Sequence, residues 1–384
     1  TKWLDKTILK NEIALIGSEI LEEPIESKVI KYPKHKLSKQ GVNLFGYYNY
    51  QFGLSKIIHS FENIFSLIKI NSTINNLIVG GHKEYKTNKK NTYNKEYLIN
   101  IISINPDNCH ALFEQYPYDI YFKRKYNIAY WIYETKGIPV EFFTYAPLFD
   151  EIWTASNFAK EILLPLNKKV RVLPILGNFE KNNEIAIIPQ IQKIIDEKKD
   201  EKKFLFMFDF FSCPYRKNIF QLIDIFKDIL LTGRKFKLFL KIKNAPESFI
   251  ENLKKLIANL PIYILTKELK QEELHYLYNS VDYYVSLHSS EGYGLTILEA
   301  IYYKVMPIVT AYGGVMDFCN EKNSILVDYD MIDIPVESFY HNQGQWAQPK
   351  KEDAITKICL VIDNPIIQKP NQEIFNQISE KVLS

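Results

Sequence analysis

Ser290-Glu291-Gly292-Tyr293-Gly294-Leu295-Thr296-Ile297-Leu298-Glu299-Ala300 is the stretch on which the reading of this chain turns. The apolar run Tyr283–Leu287 precedes it and predicts a buried strand; the periodic residues from Leu295 on predict a helix. Between them lies a turn with two glycines, which allow close backbone approach or a positive φ. A helix that starts in a cleft presents free N–H groups and a positive partial charge, an arrangement suited to a diphosphate. Glu291 stands ahead of that helix start and Glu299 along the helix. Carboxylates at those places accept hydrogen bonds from hydroxyl groups.

Working outward, strands are expected at Val42–Tyr47, Asn76–Val79, Tyr97–Ile104, Ile128–Tyr133, Glu151–Ala155 and Val170–Leu173, with helices between them, the first running from Leu54 to Ile68. A second series begins after a charged helix, Pro189–Lys203. Its strands are expected at Phe204–Phe208, Phe236–Lys241, Ile262–Leu265, Tyr283–Leu287, Met306–Val309 and Ser324–Val327. Its helices are expected at Ile219–Leu231, Pro246–Ala258, Gln271–Asn279 and Thr296–Lys304. Strand–helix alternation implies parallel sheets. The fold class is therefore α/β with two open parallel sheets, their carboxyl ends facing across a cleft, where ligands of such sheets bind. The boundary is expected near Gly177–Asn183. Residues 2–22 read as an extra amphipathic helix with Lys2, Lys6 and Lys10 beside its apolar face. It suits a partner domain of a longer chain better than a membrane surface.

With 384 residues, 46% apolar and 24% charged, the chain has the composition of a two-domain globular protein. The net charge of +3 gives no call for nucleic acid. Cys109, Cys213, Cys319 and Cys359 form no CxxC pair, which suits a reducing compartment and argues against a zinc site. No apolar run has the length of a membrane span.

The string SEGYGLTILEA in this strand–turn–helix setting resembles the E-x7-E segment of retaining GT-B glycosyltransferases, specifically glycosyltransferase family 4. Val281–Leu287, Met306–Gly314 and Asn323–Val327 resemble the family's strands around that segment. Arg216-Lys217-Asn218 resembles its diphosphate-holding segment, although Asp209 and Phe210 stand where the family usually has a glycine-arginine pair. Gly41–Tyr47 through Gly53-Leu54 resembles the acceptor-side glycine loop. Asn127–Glu134, Asp150–Phe158 and Gln345–Pro349 resemble a subset acting in polysaccharide assembly. The likeness covers residues 41–365.

The resemblance implies a GT-B fold of two Rossmann-like domains. Residues 1–40 would be a helical segment and connector, 41–180 the acceptor domain, 181–345 the donor domain, and 346–384 helices crossing back to the first domain. It implies transfer of a hexose-type sugar, with retention, from a GDP- or UDP-sugar to a glycan, glycolipid or glycoprotein. No metal or other cofactor is required, and the place is the cytoplasm or the inner face of the membrane. Glu291 would bond the sugar and stabilise charge at its anomeric carbon, while Glu299 would bond the ribose. Backbone N–H groups from Gly292 and Tyr293 through Gly294, Leu295 and Thr296 would hold the diphosphate with Lys217 and Arg216. Gly53 and Lys241 join the donor-binding set. His110 and Glu134 are candidates at the sugar and acceptor, against a surface histidine and a structural carboxylate. Asp328-Tyr329-Asp330 matches the D-x-D metal pattern of another glycosyltransferase fold but lies far from where that fold needs it. A catalytically silent nucleotide-sugar-binding module and a GT-B-like epimerase remain the alternatives.

Overall fold

A computed structural model of the chain describes residues 41–50, 52–80, 91–175, 185–197, 200–364 and 369–383. The expected N-terminal helix and the expected domain boundary lie outside these residues.

The first sheet contains β1 (Gly41–Gly46), β2 (Asn71–Asn76), β3 (Ile99–Ile102), β4 (Tyr126–Tyr130), β5 (Glu151–Thr154) and β6 (Val170–Val172). Its order is β2-β1-β3-β4-β5-β6, parallel throughout. The helices α1 (Gly53–Leu67), α2 (Cys109–Gln115), α3 (Val140–Tyr145) and α4 (Asn157–Leu163) connect its strands.

A polar ladder crosses four of these strands. Thr73 Oγ1 donates to Asn43 Oδ1 at 2.8 Å, Asn43 Nδ2 to Asn100 Oδ1 at 3.1 Å, and Asn100 Nδ2 to Asn127 Oδ1 at 2.8 Å. The register places these residues directly opposite one another. Buried amides are tolerated here because each is bonded to the next. The ladder also explains a misplaced strand. The expected strand Asn76–Val79 follows its apolar residues, but the actual one, Asn71–Asn76, is polar and turns Thr73 and Asn75 inward, where Asn75 Nδ2 donates to Leu44 O at 3.1 Å.

The second unit holds α5 (Pro189–Asp196), β7 (Lys202–Asp209), α6 (Pro214–Lys217), α7 (Ile219–Leu231), β8 (Phe236–Lys243), α8 (Glu247–Leu256), β9 (Ile262–Leu265), α9 (Gln271–Asn279), β10 (Tyr283–Ser286), α10 (Leu295–Tyr302), β11 (Met306–Thr310) and β12 (Ile325–Val327). Its parallel order is β12-β11-β10-β7-β8-β9, so the crossovers reverse direction between β7 and β10. That switch point, outside the strand carboxyl ends, is where open parallel sheets leave a crevice. α5 ends at Asp196, short of the expected Lys203, because Lys202 and Lys203 already belong to β7, with Lys203 N bonded to Asp282 Oδ2 at 2.8 Å.

A hairpin absent from the expectations follows: β13 (Tyr329–Asp333) pairs antiparallel with β14 (Gln345–Pro349). Its connecting loop reaches the first unit, where Thr135 Oγ1 donates to Gln343 Oε1 at 2.9 Å and Gly137 N to Gln343 O at 2.8 Å. α11 (Lys351–Asp363) packs Ala354, Ile358 and Val361 into the core of the second unit. α12 (Glu373–Leu383) follows Gln372, whose side chain bonds Ile301 O and Tyr302 O of the same unit. No helix among the described residues is long and apolar enough to cross a membrane.

Candidate donor site

α10 starts at Leu295, where the strand–turn–helix reading places it. Its cap, Gly294, has φ +90°, and a Cβ there would meet Val315 Cγ1 at 2.5 Å. Both the left-handed backbone and the contact require glycine. The N–H groups of Ile297 and Leu298 turn back to Gly294 O at 3.0 and 3.1 Å, which leaves those of Leu295 and Thr296 without a partner inside the helix.

Gly292 is glycine for a different reason from the one expected. A Cβ there would meet Ile132 Cγ2 at 2.4 Å and Tyr133 O at 3.3 Å, so the first unit already fills the space. Gly313 (φ +89°) and Gly314 back the loop: Gly314 N donates to Glu291 O at 2.7 Å, and a Cβ on Gly314 would lie 2.1 Å from Gly292 O. At Gly53, by contrast, a Cβ would meet open space, so packing within the chain does not demand glycine there.

The loop is tied across the cleft. Ser156 Oγ donates to Gly292 O at 2.5 Å, Ser290 Oγ to Glu134 O at 2.6 Å, and Tyr293 OH to Ile175 O at 3.1 Å. Asp317 accepts from Asn157 N at 2.7 Å, placing a carboxylate on the N-terminus of α4 in the other unit.

Glu291, Lys217, Arg216 and Glu134 come together. Glu291 is 7% exposed, and its two oxygens face Lys217 Nζ and Arg216 Nη1, the latter at 3.4 Å. Burial pushes its carboxyl up, but Lys217 and Arg216 outweigh burial and bring the pKa down to about 2. Burial lowers the Lys217 ammonium; Glu291 opposes that effect. Arg216 is committed more fully than expected for a free diphosphate fork. Its Nε donates to Ser212 O at 3.1 Å and its Nη1 to Ser290 O at 2.7 Å, while Nη2 lies 3.7 Å from Glu134 Oε1. It supplies positive charge to the site while bracing the loop. Glu134 also accepts from Tyr340 OH at 3.3 Å.

Glu299 lies along α10 and is bonded to Lys56 Nζ of α1, with Tyr278 OH 3.3 Å from its other oxygen. Thr296 Oγ1 accepts from Tyr284 OH at 2.8 Å. Lys241 is buried at the end of β8, with Ile242 O 3.4 Å from Nζ and no ion pair among the described residues. Burial, helped by Lys243, pulls its pKa down to about 8.

His110 is exposed in the first turn of α2, near Asp107. His288 is fully buried between Ser286 O (3.1 Å) and Tyr312 O (3.0 Å), a support of the loop. Asp330 of the D-x-D string faces Lys350 at 3.6 Å on the hairpin, and Asp328 N donates to Asp353. Among the described residues, no three His, Cys, Asp or Glu side chains gather as metal ligands.

Lys56, Ser156, Ser290, Tyr340 and Gln343 were not foreseen. Their partners lie far away along the chain (243 positions for Lys56 and Glu299), and no local pattern signals such pairings.

Two Rossmann-like parallel sheets facing across a cleft, with a glycine-capped helix at the second switch point, make up the GT-B architecture, and the chain is a glycosyltransferase. Residues 187–357 match the family model described as glycosyl transferases group 1, a match confined to the second unit. Among solved structures, the chain is similar to HepE of Anabaena in complex with UDP and glucose: 11% identity, 89% of this chain and 97% of that one, TM-score 0.62. It is also similar to a glycosyltransferase from Rickettsia africae: 17% identity, 90% and 94% coverage, TM-score 0.56. At such identities these likenesses establish the fold. No curated protein sequence matches the chain.

Proposed function

We propose that the chain is a retaining, metal-independent transferase of the family 4 type, moving a hexose-type sugar from a UDP- or GDP-sugar to a glycan, glycolipid or glycoprotein. One observation carries this reading: Lys217 and Arg216 converge on Glu291 beside the open start of α10, with Glu299 further along the same helix. That order suits sugar, diphosphate and ribose. The Anabaena structure bound to UDP-glucose, of the same fold, supports the nucleotide assignment.

In the reaction, the bond from the anomeric carbon to the diphosphate oxygen breaks and a bond to the acceptor oxygen forms on the same face. The acceptor proton passes to the departing diphosphate. Lys217 and the α10 N–H groups stabilise the charge growing on the leaving group, and Glu291 the charge on the sugar. Preorganised groups of this kind contribute about 3 to 4 kcal/mol each. Glu134, beside Arg216 and Tyr340, faces the acceptor. The buried free thiols of Cys109, Cys213 and Cys319 suit work in the cytoplasm, with the inner membrane face open to the acceptor.

A panel of UDP- and GDP-sugars tests the proposal. Hydrolysis or transfer of one donor, slowed about 10²- to 10³-fold by Glu291→Gln and unaffected by excess EDTA, is the expected result. Tight donor binding with no turnover across acceptors would replace the transferase with a silent binding module. Activity lost to EDTA and restored by manganese would overturn metal independence.

A further inference from the structure

We propose that Lys56 is a donor-binding residue that makes capture of the nucleoside conditional on its phosphates. The inference rests on the donor-site reading above and assigns the site a residue from the opposite domain.

Lys56 lies in the first turn of α1, three residues after Gly53, and its ammonium bonds Glu299 Oε1 across the cleft. The lysine side chain is 36% exposed, while the glutamate side chain is 9% exposed. The other Glu299 oxygen has Tyr278 OH at 3.3 Å, but that hydroxyl also points to Thr296 O at 3.0 Å, and it has a single proton to give. Among the described residues, Lys56 is therefore the one cation that satisfies this buried carboxylate.

Glu299 sits five residues beyond the Gly294 cap, about 7.5 Å along the axis at 1.5 Å per residue, and helix side chains lean toward the N-terminus. A lysine ammonium held at this carboxylate is thus poised beside the helix start that takes the diphosphate. Its flexible stem leaves it free to change partners.

A ribose reaching Glu299 must displace the ammonium. Its hydroxyls are neutral, so each bond they make to Glu299 has one charged partner where the ammonium–carboxylate pair has two. A nucleoside alone therefore trades a stronger bond for weaker ones and leaves Lys56 without a partner. A nucleoside diphosphate supplies the partner: the ammonium moves to the phosphates as the ribose takes Glu299. The exchange also brings α1, and with it the acceptor domain, into contact with the donor.

Calorimetry on the full chain, with ligand-observed NMR for weak binders, tests this by comparing UDP with uridine and GDP with guanosine. In Lys56→Met, the diphosphate is expected to bind about tenfold more weakly, the loss of one charged phosphate contact, while the nucleoside binds as well as before or better. The ratio of the two affinities therefore falls at least tenfold. Lys56→Arg keeps the ratio. Lys56→Gln, which retains a hydrogen-bond donor to Glu299, is read in the same way as Lys56→Met and stands in for it should that variant not fold. A ratio kept within twofold in the neutral variants, both affinities moving together, would mean that Lys56 only braces Glu299, and the inference would fall alone. A wild-type chain that binds neither UDP nor GDP would remove the donor-site reading and this inference with it.

Discussion

Replacing Glu291 by glutamine keeps the shape of the side chain and removes its charge. The expected magnitude follows from the carboxyl itself, whose pKa falls from an ordinary 4.5 to about 2 because Lys217 and Arg216 outweigh its burial. At ~1.36 kcal/mol per tenfold change in proton affinity, the folded protein favours the ionised form by about 3 kcal/mol. Removing one partner of a buried pair typically costs about 3 to 5 kcal/mol, a matching figure. A depressed carboxyl pKa gives stability that is present above the unfolded value and lost as pH falls through the folded one. Glu291→Gln should therefore be less stable than wild type by about 3 kcal/mol at pH 7 and equally so at about pH 5. Below about pH 4.5 the gap should close, and it should be gone near pH 2.

The same change should improve product binding. Lys217 is bonded to Glu291, so a diphosphate has to compete with the carboxylate for it. With glutamine there, UDP should bind about tenfold tighter or more, while turnover falls by about 10² to 10³, the loss seen when one transition-state contact is removed. Urea denaturation at pH 7, 5, 4 and 3, calorimetry with UDP and a donor-hydrolysis assay read the three effects. A folded variant that binds UDP no better than wild type would show that Glu291 does not compete with the diphosphate. A stability gap persisting undiminished at pH 3 would show that the carboxylate charge is not its source.

Lys241→Met should stabilise the protein by up to about 3 kcal/mol at pH 7, because burial makes the native ammonium unfavourable. The lysine penalty is complete below pH 8 and fades toward about pH 10.5, so the gain should vanish there in thermal melts; UDP should bind more weakly to the variant. Gly292→Ala places a methyl 2.4 Å from Ile132 Cγ2 and should destabilise by about 1 to 3 kcal/mol, with turnover reduced. Adding Ile132→Ala should recover at least about 1 kcal/mol in a double-mutant cycle, and strict additivity would refute the contact. Gly314→Ala faces backbone instead, with Gly292 O 2.1 Å away, so Ile132→Ala should restore neither its stability nor its activity.

Much of the second unit was legible in the sequence because its signals are local. α7 and α9 fall at the expected residues, and β7 is a continuous apolar run of the kind buried parallel strands require. Glu291 and Glu299 share a site in the sequence because a strand, a turn and a helix start fix their relation over a short stretch, whereas Lys217, 74 positions from Glu291, joins them there only through the resemblance of Arg216-Lys217-Asn218. The first unit was harder to read. β2 conceals its burial in Thr73 and Asn75, whose amide and hydroxyl partners lie on neighbouring strands, so no hydropathy pattern marks it. Arg216 resembled a free phosphate ligand in the sequence; only the fold brings Glu134 and Ser290 O around it. The hairpin was missed because β13 is a largely exposed strand with no apolar alternation.

Both carboxylates of the candidate donor site hold lysines, Glu291 with Lys217 and Glu299 with Lys56. A cleft that paired neither would leave two buried carboxylates and the buried Lys217 to bear their desolvation without compensating contacts. On the proposed reading, donor binding is an exchange of ionic partners, and its net strength is the small difference between two sets of charged contacts. The partners come from different places: Lys217 rides with the donor loop, whereas Lys56 rides with α1 in the opposite unit. The loop in turn is held by Ser156, by the Glu134 carbonyl and by the space Ile132 takes beside Gly292. On that reading, donor affinity depends on contacts that the first unit makes. A substitution in the first unit that never touches the nucleotide will alter how tightly it is held.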